Sequence, residues 1–173
     1  MAISRGLMRC MAVLCGLALV PATARAQKPG AEKLPEAVRK TFEAKFPGAE
    51  IEKIESEEEG GVMVYDVEFR HEGHEKETDI AADGTMLEFT LVIEARAVPE
   101  AAMKRIRAAA EGARMKRVEE IKITHETRGG KVVKLPRTAT HYAVEMTKGG
   151  KTAEIVVDAD GKVVEEPNWG AAK

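Results

Sequence analysis

The segment VEFRHEGHEKE at residues 67–77 carries the side chains best suited to metal chemistry. It places His71, Glu72, His74 and Glu75 within five residues, and imidazole and carboxylate groups are common protein ligands of zinc. The two histidines stand three residues apart, whereas the helical metalloprotease pattern needs two histidines four residues apart. His71 and His74 are therefore weak candidates for a metal site. The alternative is a solvated turn that carries two histidines, and the secondary-structure element that holds them decides between a metal site and such a turn.

A second copy of this segment lacks the histidines. YDVEFRHEGHEKETDIAADGTML at 65–87 aligns with YAVEMTKGGKTAEIVVDADGKVV at 142–164, and the second copy has lysines where the first has His71 and His74. Its central residues, TKGGKTAE, form a simple glycine turn pattern. The alignment predicts that the histidines lie at the reversal of a hairpin and face solvent. We expect no physiological metal site there and no cofactor.

Catalytic groups are equally hard to find. The single serine after residue 26, Ser56, stands among glutamates without a matching base. Both cysteines, Cys10 and Cys15, fall in the N-terminal segment, so the rest of the chain has no thiol nucleophile. Carboxylates are abundant, but their spacing alone does not bring two of them onto one substrate. The sequence predicts a protein that is not an enzyme.

Residues 1–26 have the composition of a secretory signal peptide. Arg5 and Arg9 supply a basic start, an apolar run follows, and a small-x-small triplet ends at Ala26. The apolar run is too short to span a bilayer as a helix. We predict cleavage after Ala26, a periplasmic or secreted location, and no transmembrane segment in the mature chain. An uncleaved anchor is the alternative.

The charge of the mature chain argues against one class of partner. Removing residues 1–26 removes three arginines and no acid, which leaves 24 basic against 29 acidic residues and a net charge of −5. Nucleic-acid-binding domains are normally basic. We therefore expect no nucleic-acid partner.

The elements that hold these residues occur twice. LPEAVRKTFEAKFPGAEIEKI at 34–54 matches VPEAAMKRIRAAAEGARMKRV at 98–118 without a gap. Each copy repeats an apolar residue every four positions, the spacing of one helix face. Proline and glutamate suit the first helical positions, and glycine ends each pattern. The predicted apolar positions are Leu34, Val38, Phe42 and Phe46 in the first helix and Val98, Ala102, Ile106 and Ala110 in the second.

A set of strands follows each predicted helix. The alternation in Tyr65–Phe69 is typical of a half-buried strand, and Asp-Gly between apolar runs indicates a hairpin. The fold class predicted is α+β, with two tandem repeats that are each a helix packed on an antiparallel sheet of about four strands. The repeats are placed at 33–91 and 92–166.

Thirteen additional residues separate the two halves of the second repeat. The offset between the copies grows from 64 to 77, which places an insert within 119–141. The insert is polar and punctuated by glycine and proline, so we predict a long hairpin or loop. Residues 167–173 form a tail that is either disordered or packs Trp169 against the sheet.

The charges divide unevenly between the halves. Residues 27–91 carry a net charge of −9 and residues 92–173 a net charge of +4. The faces are either simply solvated, or they steer a charged partner and thereby set association rate and selectivity. The candidate interaction residues are Glu57, Glu58 and Glu59 on the acidic side and Lys104, Arg105 and Arg107 on the basic side.

The helices, the YDVEF and YAVEM strands and the closing DADGKVVEE resemble the PepSY-like family, in particular its β-lactamase-inhibitor-like group of exported bacterial proteins. The resemblance covers residues 33–166 as two copies. It implies a non-catalytic protein that binds or restrains another protein outside the cytoplasm. The chain departs from the inhibitor that gives the group its name, because its mature part has no cysteine and therefore no disulfide.

Two functions remain open at this point. The first is an exported protein-binding module, an inhibitor or regulator of an extracytoplasmic enzyme, whose partner is another exported or cell-envelope protein. The alternative is a periplasmic protein that binds a small ligand or a metal ion. A closed apolar pocket would favour the small-ligand alternative, and an open polar sheet would favour the protein-binding module.

Overall fold

The computed structural model describes residues 29–170, which contain two α-helices. They are α1 (Glu36–Lys45) and α2 (Glu100–Ala109), and a short 3-10 helix precedes each, at Ala31–Lys33 and Ala95–Ala97. The predicted cleavage site at Ala26 lies outside the described residues. No helix within residues 29–170 is both long and apolar enough to cross a membrane.

The eight strands of this part of the chain form one antiparallel sheet in which strand order follows sequence order. The result is an α+β architecture, as predicted. The sequence did not indicate that the strands after each helix join into a single sheet. The strands are β1 (Glu50–Glu59), β2 (Val62–His71), β3 (His74–Ala81), β4 (Met86–Val92), β5 (Arg114–Arg128), β6 (Lys131–Lys148), β7 (Lys151–Asp158) and β8 (Val163–Glu165).

Both helices bury the apolar positions that their periodicity predicts. All eight ladder residues are at most 8% exposed. The helices are shorter than the ladders, since the first and last ladder residues of each copy flank the helix. Pro35 and Pro99 lie at the N-cap rather than at the first helical position, which corrects the predicted start by one residue.

Each helix closes a separate core cluster against the strands that follow it. Around α1, the ring of Phe42 meets that of Phe69 edge-on with centroids 5.0 Å apart, and Ile80 completes the contact. Around α2, Ile106 packs with Met146 and neighbouring apolar residues. Burial of this kind stabilises a fold by about 25 cal/mol per Å² of apolar surface.

The two Asp-Gly turns pack directly against the backbones of the helices. Gly84, between β3 and β4, and Gly161, between β7 and β8, have φ angles of 87° and 81°. A Cβ atom on Gly84 would lie 2.9 Å from the carbonyl oxygen of Ala37, and one on Gly161 would lie 2.5 Å from that of Ala101. Only glycine combines this φ with so close an approach of two backbones.

The segment at 119–141 belongs to a long hairpin of β5 and β6, whose turn is Gly129-Gly130. The N–H of Gly130 donates to the carbonyl oxygen of Gly60, in the β1–β2 turn, at 2.7 Å. Val132 packs against the cluster of Val64, Ala81 and Leu87 on β2, β3 and β4. The tip of the hairpin therefore bends back over one end of the sheet.

The C-terminal tail follows the packed alternative as far as it is described. Trp169 lies partly buried against the α2 core. The N–H of Gly170 donates to the carbonyl oxygen of Thr152 at 3.2 Å. These contacts attach the tail to the outer strands of the sheet.

Candidate functional site

The sheet has one face covered by the two helices and one face without a helix. Along β2, Tyr65, Val67 and Phe69 belong to the core beneath α1. Because side chains alternate along a strand, Asp66 and Glu68 project to the opposite side. We call that side the helix-free face. Its charged members on β1 to β4 are Glu50, Lys53, Glu55, Glu57, Glu59, Asp66, Glu68, Arg70, Glu75, Glu77, Asp79 and Glu88.

Four acidic residues form a continuous row across β1 to β4, which we call the acidic ladder. Glu55 lies opposite Asp66, Asp66 opposite Asp79, and Asp79 opposite Glu88. Carboxylates directly opposite each other across strands destabilise a sheet. The ladder therefore opposes folding. Its acids do not stabilise the isolated chain, which indicates that they have a functional role.

The inner half of the ladder is shielded from water. Asp79 and Glu88 are each 8% exposed. Burial raises the pKa of Asp79 well above its ordinary value, and the neighbouring charges of Glu88, Asp66, Glu77 and Glu59 raise it further. Both effects disfavour the free carboxylate form, so protonation of this residue or binding of a cation to it is favoured.

A lysine neutralises the outer half of the ladder. The Nζ atom of Lys53 lies 2.9 Å from a carboxylate oxygen of Glu55 and 3.0 Å from one of Glu68. Burial opposes the charge on Lys53, but the hydrogen bonds to these two carboxylates raise its pKa above the ordinary value. The charge compensation is therefore concentrated at β1 and β2, away from Asp79.

A second base, Arg117, lies at the edge of the same face. Its Nε atom donates to Glu119 at 2.7 Å, and its Nη1 atom donates to Glu75 at 3.1 Å. Burial opposes its charge, but Glu119 and Glu75 raise the pKa of the guanidinium. Since Glu75 lies near the start of β3 and Arg117 lies on β5, this ion pair joins the two halves of the chain past the end of β4.

The two histidines lie at the turn where the repeat alignment places them, but the prediction that both face solvent is wrong for His71, whose side chain is 14% exposed and packs against Phe46. His71 ends β2, His74 begins β3, and the two residues face each other at the turn. The Nε2 atom of His71 lies 3.2 Å from the carbonyl oxygen of Pro47, and its Nδ1 atom lies 3.2 Å from Nζ of Lys76. His74 is exposed. Both ring nitrogens of His71 thus have protein partners.

The candidate interaction residues lie on different layers. Glu57, Glu58 and Glu59 end β1 at the sheet edge, and Glu57 and Glu58 are exposed. Lys104, Arg105 and Arg107 lie on α2.

The basic set has surroundings of its own. Lys104 and Arg107 line an open surface cavity of about 560 Å³ together with Arg96 and Met103. Arg105 instead turns away to Glu166, with Nη2 and Oε1 3.1 Å apart. The cavity is open and bordered by bases, so it differs from the closed apolar pocket that a small-ligand protein would need.

One group of side chains within residues 29–170 has the geometry to hold a metal ion. Ligand atoms of Asp66, Glu77 and Asp79 all lie within 4.8 Å of one another. None of these residues was singled out from the sequence. Alternation within β2 and β3 indicates which acids share a face, but the pairing register between the strands brings them together, and a single sequence does not give that register.

One protein family matches this chain in sequence. The family described as "Putative beta-lactamase-inhibitor-like, PepSY-like" matches residues 23–87 and 62–165. No curated protein matches the chain in sequence.

Solved structures with a similar fold include three from Bacteroides. A crystal structure from Bacteroides eggerthii, described as "putative periplasmic proteins", has a TM-score of 0.56 at 14% identity and covers 79% of this chain and 88% of that chain. A DUF2874 family protein from Bacteroides uniformis has a TM-score of 0.55 at 14% identity, with 78% and 88% covered. One from Bacteroides ovatus has a TM-score of 0.53 at 11% identity, with 79% and 87% covered. At these identities the similarity concerns the fold.

Proposed function

This chain belongs to the beta-lactamase-inhibitor-like, PepSY-like family, and from that premise we propose that it is an exported, non-catalytic module that binds another protein through its helix-free face. The partner is an exported or cell-envelope protein with a basic surface. In the form suggested by the family's description, binding inhibits or regulates an extracytoplasmic enzyme.

The acidic ladder is the observation that supports this function. A row of opposed carboxylates costs stability in the free protein. Lysine or arginine side chains of a partner would weaken that repulsion. Binding of a basic surface would therefore be favoured over binding of a neutral or acidic one. Residues that conflict with local stability commonly mark functional positions.

Exposure separates two roles along the ladder. Glu55 and Glu68 have side chains 39% and 43% exposed, so a partner can reach them directly. Glu57 is also exposed and lies on the same face. These outer acids would steer the approach of a basic protein and increase its association rate. The buried inner acids contribute to the electric field at the face without direct contact.

The long β5–β6 hairpin shapes this face. Its tip lies over Val64, Ala81 and Leu87 through Val132, and Val133 is left exposed. Loops and hairpins on a rigid scaffold commonly carry recognition. The hairpin would therefore contact the partner at the end of the face next to the acidic ladder.

The two halves of the chain are proposed to be tandem repeats of one helix-and-sheet unit, 33–91 and 92–166, with the hairpin segment 119–141 as the insert. The paired glycines support this, since Gly84 and Gly161 approach Ala37 and Ala101 in the same way. The family also matches twice. These two matches share residues 62–87, so their boundaries differ from those proposed for the repeats.

A matched pair of variants tests the proposed function. The face variant carries Glu55→Gln, Glu57→Gln and Glu68→Gln. The control carries Glu32→Gln, Glu36→Gln and Glu43→Gln, which change the net charge equally on the exposed surface of the helical layer. In capture from an extract of the native host's envelope, the control should retain the proteins that wild type enriches and the face variant should lose them. Equal capture by both variants would contradict the proposal.

A further inference from the structure

We propose that Asp66, Glu77 and Asp79 form a binding site for a divalent cation of the calcium type, with the hydroxyl of Thr90 beside them. The site lies on the helix-free face, between β2 and β3. It is separate from the histidine turn, and it does not depend on the proposed partner.

The distances fit a hard cation. Ligand atoms of the three carboxylates lie within 4.8 Å of one another. Oxygen ligands surround calcium at about 2.3–2.6 Å, so two ligands on opposite sides of one ion are at most about 5 Å apart. The three side chains could therefore contact a single ion with small rotations of their carboxylate groups.

Thr90 supplies a second and independent observation. It is 1% exposed, and its hydroxyl oxygen has no hydrogen-bond partner among the described residues. Thr90 lies opposite Glu77 in the β3–β4 register, and side chains opposite each other in a sheet project to the same face. A buried hydroxyl without a partner costs free energy, and a cation held by Glu77 would be coordinated by the hydroxyl oxygen.

The surrounding charges also favour a cation. Glu88 lies opposite Asp79 and is itself 8% exposed, so a fourth acidic residue lies next to the site on β4. The bases of this face next to the site, Lys53, Arg70 and Arg117, are engaged by acids outside the site. An ion at Asp79 would offset the repulsion along the inner half of the acidic ladder.

The ligand types select among metals. The donor set consists of carboxylates and a hydroxyl, without imidazole or thiolate, and such oxygen ligands suit calcium or magnesium rather than zinc or copper. Ligands from neighbouring strands at irregular spacing suit the flexible coordination of calcium better than the octahedron that magnesium requires. Calcium is therefore the probe of choice and magnesium the comparison.

The test uses chelator-treated mature protein and calcium chloride at constant ionic strength. Thermal melting and isothermal titration are measured for wild type, Asp79→Asn, Asp66→Asn and Glu58→Gln. Glu58→Gln also removes one acid, but from an exposed position outside the site. Asp66→Asn, at a half-buried position, provides a second variant should Asp79→Asn fold poorly.

Wild type and Glu58→Gln should bind one calcium ion, with a dissociation constant on the order of 10⁻⁴–10⁻³ M, as in extracellular calcium modules. Their melting temperatures should rise and then reach a plateau. Asp79→Asn should melt at or above the temperature of the calcium-free wild type, and both Asp79→Asn and Asp66→Asn should lose the calcium response. Thr90→Val should keep the fold and weaken binding severalfold.

Two results would overturn the proposal. One is the absence of saturable binding in wild type up to about 10 mM calcium, ten times the weak end of the expected range. The other is an equal rise in melting temperature for all variants, which would mean that calcium only screens the acidic surface. Neither result bears on partner binding, because that function is tested by variants of the outer acids.

Discussion

Asp79 on β3 lies directly opposite Glu88 on β4, and both side chains are 8% exposed. No base stands between them in the register, because each strand of this region contributes an acid to the row. The pair therefore stores repulsion in the folded chain, and its protonation should control stability.

The first prediction concerns pH. The pKa of Asp79 is raised by burial and then by the charges of Glu88, Asp66, Glu77 and Glu59. A carboxyl whose folded pKa exceeds its unfolded value of about 3.9 binds more protons in the folded state. Stability therefore falls as the pH rises from about 4 to the folded pKa, at a slope of up to about 1.4 kcal/mol per pH unit.

Asp79→Asn removes this titration. In a chelating buffer the variant should be more stable than wild type at neutral pH, and the loss of stability above about pH 4 should be smaller. Urea unfolding at several pH values measures both effects. Glu58→Gln serves as the control and should follow wild type. A variant that is less stable than wild type at neutral pH would show that the Asp79 carboxylate is stabilising.

The second prediction concerns the turn beneath α2. Gly161→Ala should destabilise the fold by more than about 2 kcal/mol, because the positive φ alone costs roughly 1–2 kcal/mol. In addition, the new Cβ would meet the backbone oxygen of Ala101 at 2.5 Å. Gly73→Ala is the matched control, since its φ is 79° and a Cβ there meets nothing within 4 Å. If chemical denaturation gave the same loss of unfolding free energy for Gly161→Ala and Gly73→Ala, the contact with the helix would not contribute to stability.

The third prediction separates recognition from stability at the end of β1. Neutralising the exposed Glu57 and Glu58 together should leave the melting temperature nearly unchanged, because exposed charges contribute little to folding; Glu59 is left intact because it is half-buried and accepts a hydrogen bond from Thr127. Association with the partner should slow, and the effect should shrink at high salt, where charges beyond roughly 10 Å are screened at 0.1 M. Melting and capture at two salt concentrations test both points. If the variant lost stability but still captured the partner, the result would favour the alternative that these charges are only solvated.

The fourth prediction concerns the histidine turn. Both ring nitrogens of His71 contact protein atoms, Pro47 O and Lys76 Nζ, and His74 is exposed at the turn. Zinc should bind no more tightly than about micromolar, or roughly −8 kcal/mol. Titration of wild type and His71→Ala should give similar weak isotherms. A stoichiometric nanomolar site that is lost in His71→Ala would contradict this.

Some of the architecture could be predicted because its signals are local. The apolar residues spaced four apart, such as Val38 and Phe42, identify both helices, and those positions are buried. Asp83-Gly84 and Asp160-Gly161 identify turns through glycine conformations that other residues rarely adopt. These features depend on a few neighbouring residues, so one sequence contains them.

The acidic ladder depends on distant residues. Glu55, Asp66, Asp79 and Glu88 come from four strands, and only the pairing register aligns them in one row. Irregular pairings next to this row, such as the shift between Asp79 and Ile80, are tertiary features. The Glu57–Glu59 cluster is recognisable in the sequence because its acids are consecutive, whereas the more strongly shielded acids are dispersed along the chain.

Site-specific photo-crosslinking in the native host tests the central claim most directly. A photoreactive amino acid at Glu57 or Glu68 on the helix-free face is compared with one at Lys40 or Ala44, both exposed on α1. We predict that a discrete adduct with one envelope protein forms from Glu57 and Glu68 and weakens at high salt, and that it is absent from Lys40 and Ala44. Adducts only from the α1 positions would contradict binding through the helix-free face.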